Sequence, residues 1–247
     1  MSPAAKVPHL ILIPGLMCDS AVWEHQARTL AALTTIDIPD HGTLNSLGEM
    51  AEAVLERAPA RFALAGHSMG GRVAFEVLRR APERVVRAAL LDTAYAPLNP
   101  GSEGTQEITG RYALLELART EGMRAMGAAW VKNMVHPDRL SDRPLLDSIL
   151  TMIERKTPDI FAAQIKALLE RPDAGPLLEE IQPPTLILCG RQDAWSGLPR
   201  HQEMAQRIPD SRLAVIEDCG HTSPMERPEA VTAALHDWVM GKSGTGH

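Results

Sequence analysis

The stretch RFALAGHSMGGRVAFEV, residues 61–77, joins a short apolar run, a glycine-rich turn and an apolar helical pattern. Gly66, Ser68 and Gly70 match the nucleophile-elbow pattern Gly-x-Ser-x-Gly, in which a strand leads through a sharp turn into a helix. Glycine is required two positions either side of the serine because a Cβ there would clash across so tight a turn. The pattern predicts that the Ser68 hydroxyl is held above the carboxyl end of a sheet.

Similar short apolar runs occur on both sides of the elbow. Most are almost continuously apolar, which is typical of strands that helices cover on both faces of a parallel sheet. Strand and helix patterns alternate, which predicts an α/β fold with a mostly parallel, doubly wound sheet. The predicted strands are residues 9–14, 34–39, 61–66, 86–92, 185–190 and 212–217. The predicted helices between them are residues 20–33, 46–57, 69–80, 198–208 and 228–240.

The alternation stops in the middle of the chain, where two long segments have helical periodicity and no strand signal. We therefore predict an all-helical insertion, residues 98–182, in a core formed by residues 1–97 and 183–242. The insertion carries four methionines, which either fill its interior or form an adaptable apolar binding surface. The polar tail, residues 243–247, is predicted to be flexible.

Composition and charge exclude several classes of protein. The 247-residue chain has a net charge of -6, which offers no electrostatic footprint for nucleic acid or an anionic membrane. No stretch resembles a membrane span of roughly 18 apolar residues, and the first apolar run is too short for a signal peptide. Cys18, Cys189 and Cys219 have the spacing of neither a disulfide framework nor a zinc site. We expect a cytoplasmic protein with reduced thiols and no metal.

A serine nucleophile needs a base, and the base needs an acid that orients it. His221 follows the last predicted strand, at the edge where an α/β sheet gathers its ligands. His67 lies within the elbow and is expected to face away from the serine. His25, His201 and His236 fall in helical patterns that predict surface positions. His221 is therefore the candidate base.

The acid should follow a strand that lies between the serine and the histidine in the sequence. Asp193 in GRQDAWSG and Asp92 at the end of ALLD both fulfil this condition. Asp193 is favoured because the chain order Ser, Asp, His, with the acid after the penultimate strand, is typical of hydrolases. Two backbone N–H groups are predicted to stabilise an oxyanion, that of Met69 after the serine and that of Leu16 in LIPGLMC.

These motifs resemble the α/β-hydrolase superfamily along nearly the whole chain. The elbow GHSMGG, the acid loop GRQDAWS and the terminal CGHTSPMERPEAV occur in that family's order, and DIPDHG (37–42) is similar to its Asp-x-Pro-Gly-His-Gly turn. The resemblance implies an α/β-hydrolase sheet with a helical cap. The roles that it implies are nucleophile for Ser68, base for His221, acid for Asp193, and oxyanion donors for Leu16 and Met69.

Two departures from the family pattern affect loops rather than catalytic groups. Pro14 and Gly15 stand where the family usually has His-Gly, and Asp40 replaces a glycine in the DIPDHG turn. Gly15 is expected to let the backbone approach the substrate.

We expect an apolar substrate pocket between the carboxyl edge of the sheet and the cap. Its predicted lining residues, besides the two oxyanion donors, are Gly15, Trp130, Met134 and Trp195. Trp195 follows Asp193 by two residues, so it could equally pack beneath the acid loop.

The sequence thus predicts a serine hydrolase that cleaves a small, largely apolar carboxylic ester or lactone through an acyl-enzyme, without a cofactor. Fold and catalytic residues do not separate this activity from C–C bond hydrolysis of a ketone, enol-lactone opening or acyl-homoserine-lactone cleavage. A non-catalytic ligand receptor with a hydrolase fold is the third alternative. The sequence does not decide between a monomer and a homodimer.

Overall fold

The computed structural model describes residues 9–241, so the predicted flexible tail lies outside the described residues. Six strands form one sheet in the order β2-β1-β3-β4-β5-β6, and every neighbouring pair is parallel. The strands are β1 (His9–Ile13), β2 (Thr35–Asp37), β3 (Phe62–His67), β4 (Val85–Leu91), β5 (Thr185–Gly190) and β6 (Ser211–Ile216). Each strand coincides with a predicted apolar run, so the predicted α/β fold with a parallel sheet is confirmed.

Ten α-helices accompany these strands within the described residues. They are α1 (Glu24–Leu30), α2 (Leu47–Arg57), α3 (Met69–Arg80), α4 (Ser102–Glu121), α5 (Met123–Trp130), α6 (Arg143–Glu154), α7 (Pro158–Leu169), α8 (Leu198–Arg207), α9 (Ser223–Glu226) and α10 (Pro228–Val239). The start of α2 shows how local sequence sets these bounds. The Ser46 hydroxyl accepts the N–H of Glu49 at 3.1 Å and so caps the helix, as its sequence predicts.

The segment between β4 and β5 contains α4 to α7 and short 3₁₀ turns, and no strand among its residues, all of which are described. The all-helical character of the insertion is therefore confirmed, while its limits as a domain remain a prediction. The first of the two helical segments of the insertion is divided into α4 and α5 at Gly122, whose φ of 91° ends α4.

Burial on both faces of the sheet explains the continuous apolar runs. Side chains alternate along a strand, so Ile11 and Ile13 pack into one apolar cluster while Leu10 and Leu12 pack into the other. The first cluster lies under α2 and α3 and continues into the helical insertion, and the second lies under α1 and α10. The sheet is thereby covered on both faces, and its carboxyl edge is where the loops meet.

Candidate active site

The turn between β3 and α3 holds Ser68 in a conformation that few residues adopt. Ser68 has φ 54° and ψ -115°, and its N–H donates to the Leu91 carbonyl at 2.9 Å. A Cβ on Gly66 would lie 2.3 Å from the Gly70 carbonyl oxygen, and one on Gly70 would lie 2.2 Å from the Ile13 carbonyl oxygen. Neither site has room for a side chain, so the glycines allow the turn that lifts Ser68 off the sheet.

Ser68, His221 and Asp193 form a continuous chain of hydrogen bonds. Oγ of Ser68 lies 2.8 Å from Nε2 of His221, and Nδ1 of His221 lies 2.8 Å from Oδ2 of Asp193. The other carboxylate oxygen accepts the N–H groups of Trp195 and Ser196 at 2.8 and 2.9 Å. The carboxylate thus favours the tautomer in which Nδ1 carries the proton and Nε2 accepts from the serine hydroxyl.

The charges within this hydrogen-bond chain shift the pKa values of His221 and Asp193 in directions that suit proton transfer. Burial lowers the pKa of His221, but the charge and hydrogen bond of Asp193 outweigh it and bring the pKa above the ordinary value. Burial raises the pKa of Asp193, but His221 and the two backbone donors bring it below the usual range. Asp193 is therefore ionised at neutral pH and stabilises a proton on His221.

Asp92, the rival acid, lies at the end of β4 and does not bond the imidazole of His221. Its carboxyl oxygens accept the N–H of Gly190 at 3.0 Å and the hydroxyl of Ser223. Burial, and after it the charge of Asp193, raise the pKa of Asp92 well above its usual value. The geometry therefore favours Asp193 as the partner of His221, while Asp92 joins the loops after β4 and β5 to α9.

Two other histidines lie close to the site. Nε2 of His67 bonds the His221 carbonyl oxygen at 2.9 Å, so His67 supports the loop of the candidate base from behind. The surface position predicted for His201 is wrong: His201 is fully buried, and its Nε2 accepts the N–H of Thr93 at 3.1 Å. The helical pattern of α8 is amphipathic, and the buried face carries this histidine. Burial foremost lowers the pKa of His67 and of His201 to about 4.

The loop that carries His221 is also held by a carboxylate that sequence reasoning missed. Glu226 accepts the N–H groups of His136, Gly220 and Thr222 at 2.7 to 3.1 Å. Burial raises the pKa of Glu226 despite these donors. His136 belongs to the helical insertion, so Glu226 joins that insertion to the His221 loop. No local signal in the sequence could have found this role, because one of its partners is 90 residues away.

The two predicted oxyanion donors face the same cavity as Ser68. Leu16 and Met69 line it together with Ser68 and His221. Met69 is the first residue of α3, where an N–H has no partner within the helix. Within residues 9–241, no hydrogen bond uses the N–H of Leu16 either. The loop of Leu16 is fixed by the next residue, Met17, whose N–H donates to Gln164 of α7 at 2.9 Å.

The cavity beside Ser68 has a volume of about 510 Å³ and includes most of the predicted pocket residues. Trp130, Met134 and Trp195 line it, whereas Gly15 does not. A Cβ on Gly15 would lie 2.9 Å from Nδ1 of His67, so the expectation that Gly15 approaches the substrate is corrected. Its missing side chain leaves room for an imidazole instead.

The prediction of an apolar pocket is wrong for the part of the wall formed by charged side chains. The cavity is lined by Arg72, Arg111, Arg171 and Arg200, and also by Glu103 and Glu107. Sequence reasoning missed this part of the wall because the four arginines are far apart in the chain, in helices and loops that only the fold brings together. Arg111 also lies over the Trp195 ring, 5.4 Å from its centroid, which fixes Trp195 on the acid loop.

Residues 9–241 contain neither a metal-binding cluster nor a membrane-spanning helix. No group of three or more histidine, cysteine or acidic side chains is arranged to hold a metal ion. No helix in this part of the chain is long and apolar enough to cross a membrane. Cys18, Cys189 and Cys219 are buried and unpaired, and burial foremost raises the pKa of Cys18 and of Cys189 to about 12.

Comparisons with known proteins agree with the α/β fold. A model described as the alpha/beta hydrolase family matches residues 10–234. A pimeloyl-[acyl-carrier protein] methyl ester esterase from Aromatoleum aromaticum is 28% identical, covering 95% of this chain and 99% of that protein. One of the same name from Nitrosomonas europaea is 26% identical, covering 90% and 92%. The malate-bound structure of a thermophilic esterase from Thermogutta terrifontis has a TM-score of 0.83 and 27% identity, covering 97% of this chain and 92% of the other.

Proposed function

Because this chain belongs to the alpha/beta hydrolase family and is an ester hydrolase by class, we propose that it cleaves a small carboxylic ester or lactone through an acyl-enzyme at Ser68. The observation that carries the proposal is the unbroken hydrogen-bond chain from Ser68 through His221 to Asp193, with both links at 2.8 Å. Ser68 and His221 lie at the wall of a cavity that can admit a substrate.

The proposed reaction has two steps. Ser68 Oγ attacks the ester carbonyl carbon while Nε2 of His221 takes the hydroxyl proton, and Asp193 holds the resulting imidazolium. The N–H groups of Leu16 and Met69 stabilise the oxyanion. His221 then gives the proton to the departing alkoxide, which leaves as the alcohol. In the second step His221 activates a water molecule, and the acid departs as Ser68 regains its proton.

The relatives support ester cleavage over the other reactions that the same residues could perform. The two curated relatives are named for a methyl ester, and the Thermogutta structure for an esterase. We propose the ester bond as the common feature and not their particular acyl group. A ligand receptor without catalysis has no need of the aligned Ser68 and His221, so the geometry favours an enzyme.

The test treats wild type and Ser68→Ala with a fluorophosphonate probe and with p-nitrophenyl esters from acetate to decanoate. We expect labelling and turnover in wild type, and turnover lower by at least about 10³-fold in Ser68→Ala because its nucleophile is gone. Ser148→Ala is the matched control: this serine is exposed on α6, and its variant should behave like wild type. Equal labelling or equal turnover in Ser68→Ala would overturn the proposal.

A further inference from the structure

The charged part of the cavity wall contains more arginines than glutamates. Four arginines and two glutamates line the same cavity as Ser68. Of the glutamates, Glu103 accepts from the Asn99 side chain at 2.9 Å and forms no ion pair within residues 9–241. Asp92 also lines the cavity, but its carboxyl group bonds Gly190 and Ser223. Glu107 is therefore the carboxylate that could neutralise the arginines, and its bonds decide which of them remain available.

Both carboxylate oxygens of Glu107 accept hydrogen bonds from two of the four arginines. Arg171 bonds both of its carboxylate oxygens, Nη1 to Oε1 and Nη2 to Oε2, each at 2.8 Å. Arg111 adds a bond from Nε to Oε1 at 2.9 Å. Burial raises the pKa of Glu107, but the two guanidinium groups outweigh it and bring the pKa below the usual range. This network joins α4 to the end of α7. Arg72 and Arg200 form no bond with Glu107.

Arg72 is one of two cavity arginines, with Arg200, that form no ion pair within residues 9–241. Among residues 9–241 no carboxylate lies within ion-pair distance of it, and its single hydrogen bond runs from Nη1 to the Ala96 carbonyl oxygen at 2.9 Å. A guanidinium has five N–H donors, so most remain free. Partial burial, and after it the charge of Arg171, lower the pKa of Arg72 to about 9. An anion beside Arg72 would offset the charge of Arg171 and stabilise the charged form of the guanidinium.

The position of Arg72 relates this charge to the nucleophile. Ser68 is the N-cap of α3, and the N–H of Arg72 donates to the Ser68 carbonyl oxygen at 3.4 Å, so the two residues lie one helical turn apart. Both residues line the cavity, and so does Arg200, which is exposed and forms no ion pair within the described part of the chain. An anionic group held at Arg72 would thus lie a few methylene groups from a carbonyl at Ser68.

We propose that Arg72, supported by the positive charge of Arg200, binds a carboxylate at the far end of the substrate. Guanidinium pairs with carboxylate in a bidentate geometry that a neutral group cannot reproduce. The substrate class is then monoesters of dicarboxylic acids, or lactones that carry a carboxylate. This inference rests on the proposed ester hydrolysis at Ser68 and adds the part of the substrate that does not react.

The test compares two series of p-nitrophenyl esters in wild type. One series contains the monoesters of succinate to pimelate, and the other contains the same compounds with the distal carboxylate methylated. We expect kcat/KM to favour the anionic ester by about 10- to 100-fold at the best chain length, which corresponds to one charge-assisted hydrogen-bonded pair. The preference should appear mainly in KM and decline as sodium chloride rises, since salt screens the pairing.

Variants separate this inference from a general effect of charge. Arg72→Met should bring the ratio of anionic to neutral kcat/KM close to one, and Arg72→Lys should restore part of it. Arg28→Gln, which removes an exposed arginine of α1, should leave rate and ratio unchanged. Calorimetry with adipate and Ser68→Ala measures carboxylate binding without turnover, and this binding should weaken at least about tenfold when Arg72→Met is added.

The outcomes distinguish the two proposals. Hydrolysis of both series at equal rates would overturn the carboxylate site and leave ester hydrolysis intact. A preference that survives Arg72→Met in a folded protein would also overturn it, as would adipate binding that Arg72→Met does not weaken. Adipate binding at Arg72 without hydrolysis of either series would support the carboxylate site and count against the acyl-enzyme at Ser68.

Discussion

At the scale of single residues, two buried aspartates at the ends of neighbouring strands show how surroundings decide a role. Asp193 is hydrogen-bonded to an imidazole and two backbone N–H groups, whereas Asp92 is hydrogen-bonded to one N–H and one hydroxyl. The pKa of Asp193 is accordingly lowered, and that of Asp92 is raised. The surroundings thus favour the charged form of Asp193 and the protonated form of Asp92, so the two are not interchangeable.

Exchange of each aspartate for asparagine tests this difference. Asp193→Asn should lower kcat by about 10⁴-fold, because the amide no longer stabilises the correct tautomer and the imidazolium of His221. Asp92→Asn should lower it by less than about tenfold, because an amide can still accept from Gly190 and donate to Ser223. Steady-state kinetics with one p-nitrophenyl ester measures both. A loss in Asp92→Asn as large as in Asp193→Asn would contradict the assignment of the acid.

The raised pKa of His221 predicts the acidic limb of the pH profile. A general base must be neutral, so kcat/KM should fall as pH decreases through the pKa of His221, which lies above 6.5. Asp193→Asn removes the largest stabilising influence on the imidazolium, so the limb should move to lower pH. His67 and His201, with pKa values of about 4, stay neutral over this range. A limb that does not move in Asp193→Asn would contradict the assigned partner.

The candidate catalytic residues could be predicted from the sequence because each lies in a short motif at the end of a predicted strand. Ser68, Asp193 and His221 needed only the chain order and the strand pattern. The charged cavity wall could not be predicted, since Arg171 and Glu107 are 64 residues apart and pair only in the folded chain. Pairs this distant leave no periodic signal in one sequence.

At the scale of elements, the elbow is a turn whose backbone must pass where no side chain fits. The Cβ positions of Gly66 and Gly70 would both lie less than 3 Å from backbone oxygen atoms, which cannot move without moving the sheet. Gly110, in the middle of α4, has no heavy atom within 4 Å of its Cβ position and is exposed. The atoms around each Cβ position therefore decide whether an added methyl group destabilises the fold.

Two alanine substitutions make that contrast measurable. Gly66→Ala should lower the free energy of unfolding by at least about 3 kcal/mol, or prevent folding, because backbone has to shift. Gly110→Ala should raise it by about 0.5 to 1 kcal/mol, because alanine favours a helix over glycine. Urea denaturation followed by circular dichroism compares both with wild type. A Gly66→Ala protein as stable as Gly110→Ala would show that the turn does not have this geometry.

Elements were predictable where burial imposes a pattern and less so where it does not. All six strands were found because a strand that is covered on both faces must be almost wholly apolar. The division of one helical stretch into α4 and α5 was missed, because periodicity continues across Gly122 while the backbone there turns out of the helix. A single glycine within a helical pattern does not reveal its φ angle.

At the scale of the whole molecule, the helical insertion is joined to the sheet by apolar and polar contacts. One apolar cluster contains Leu64 of β3, Phe75 of α3, and Ile153 and Phe161 of the insertion. Arg155 bonds both carboxylate oxygens of Asp19 at 2.7 and 2.9 Å across the same boundary. A shared interior means that neither part keeps its buried surface when the other unfolds.

We therefore expect one cooperative unfolding transition, although the sequence divides the chain into a core and an insertion. Separate domains with small contacts unfold independently, whereas parts that share one apolar interior unfold together. Differential scanning calorimetry should give a single peak whose calorimetric enthalpy equals the van't Hoff enthalpy. Ile153→Ala, which removes fully buried methyl groups on the insertion side, should lower the Tm of the whole peak by several degrees. A second peak that alone responds to Ile153→Ala would instead make residues 98–182 an independent domain.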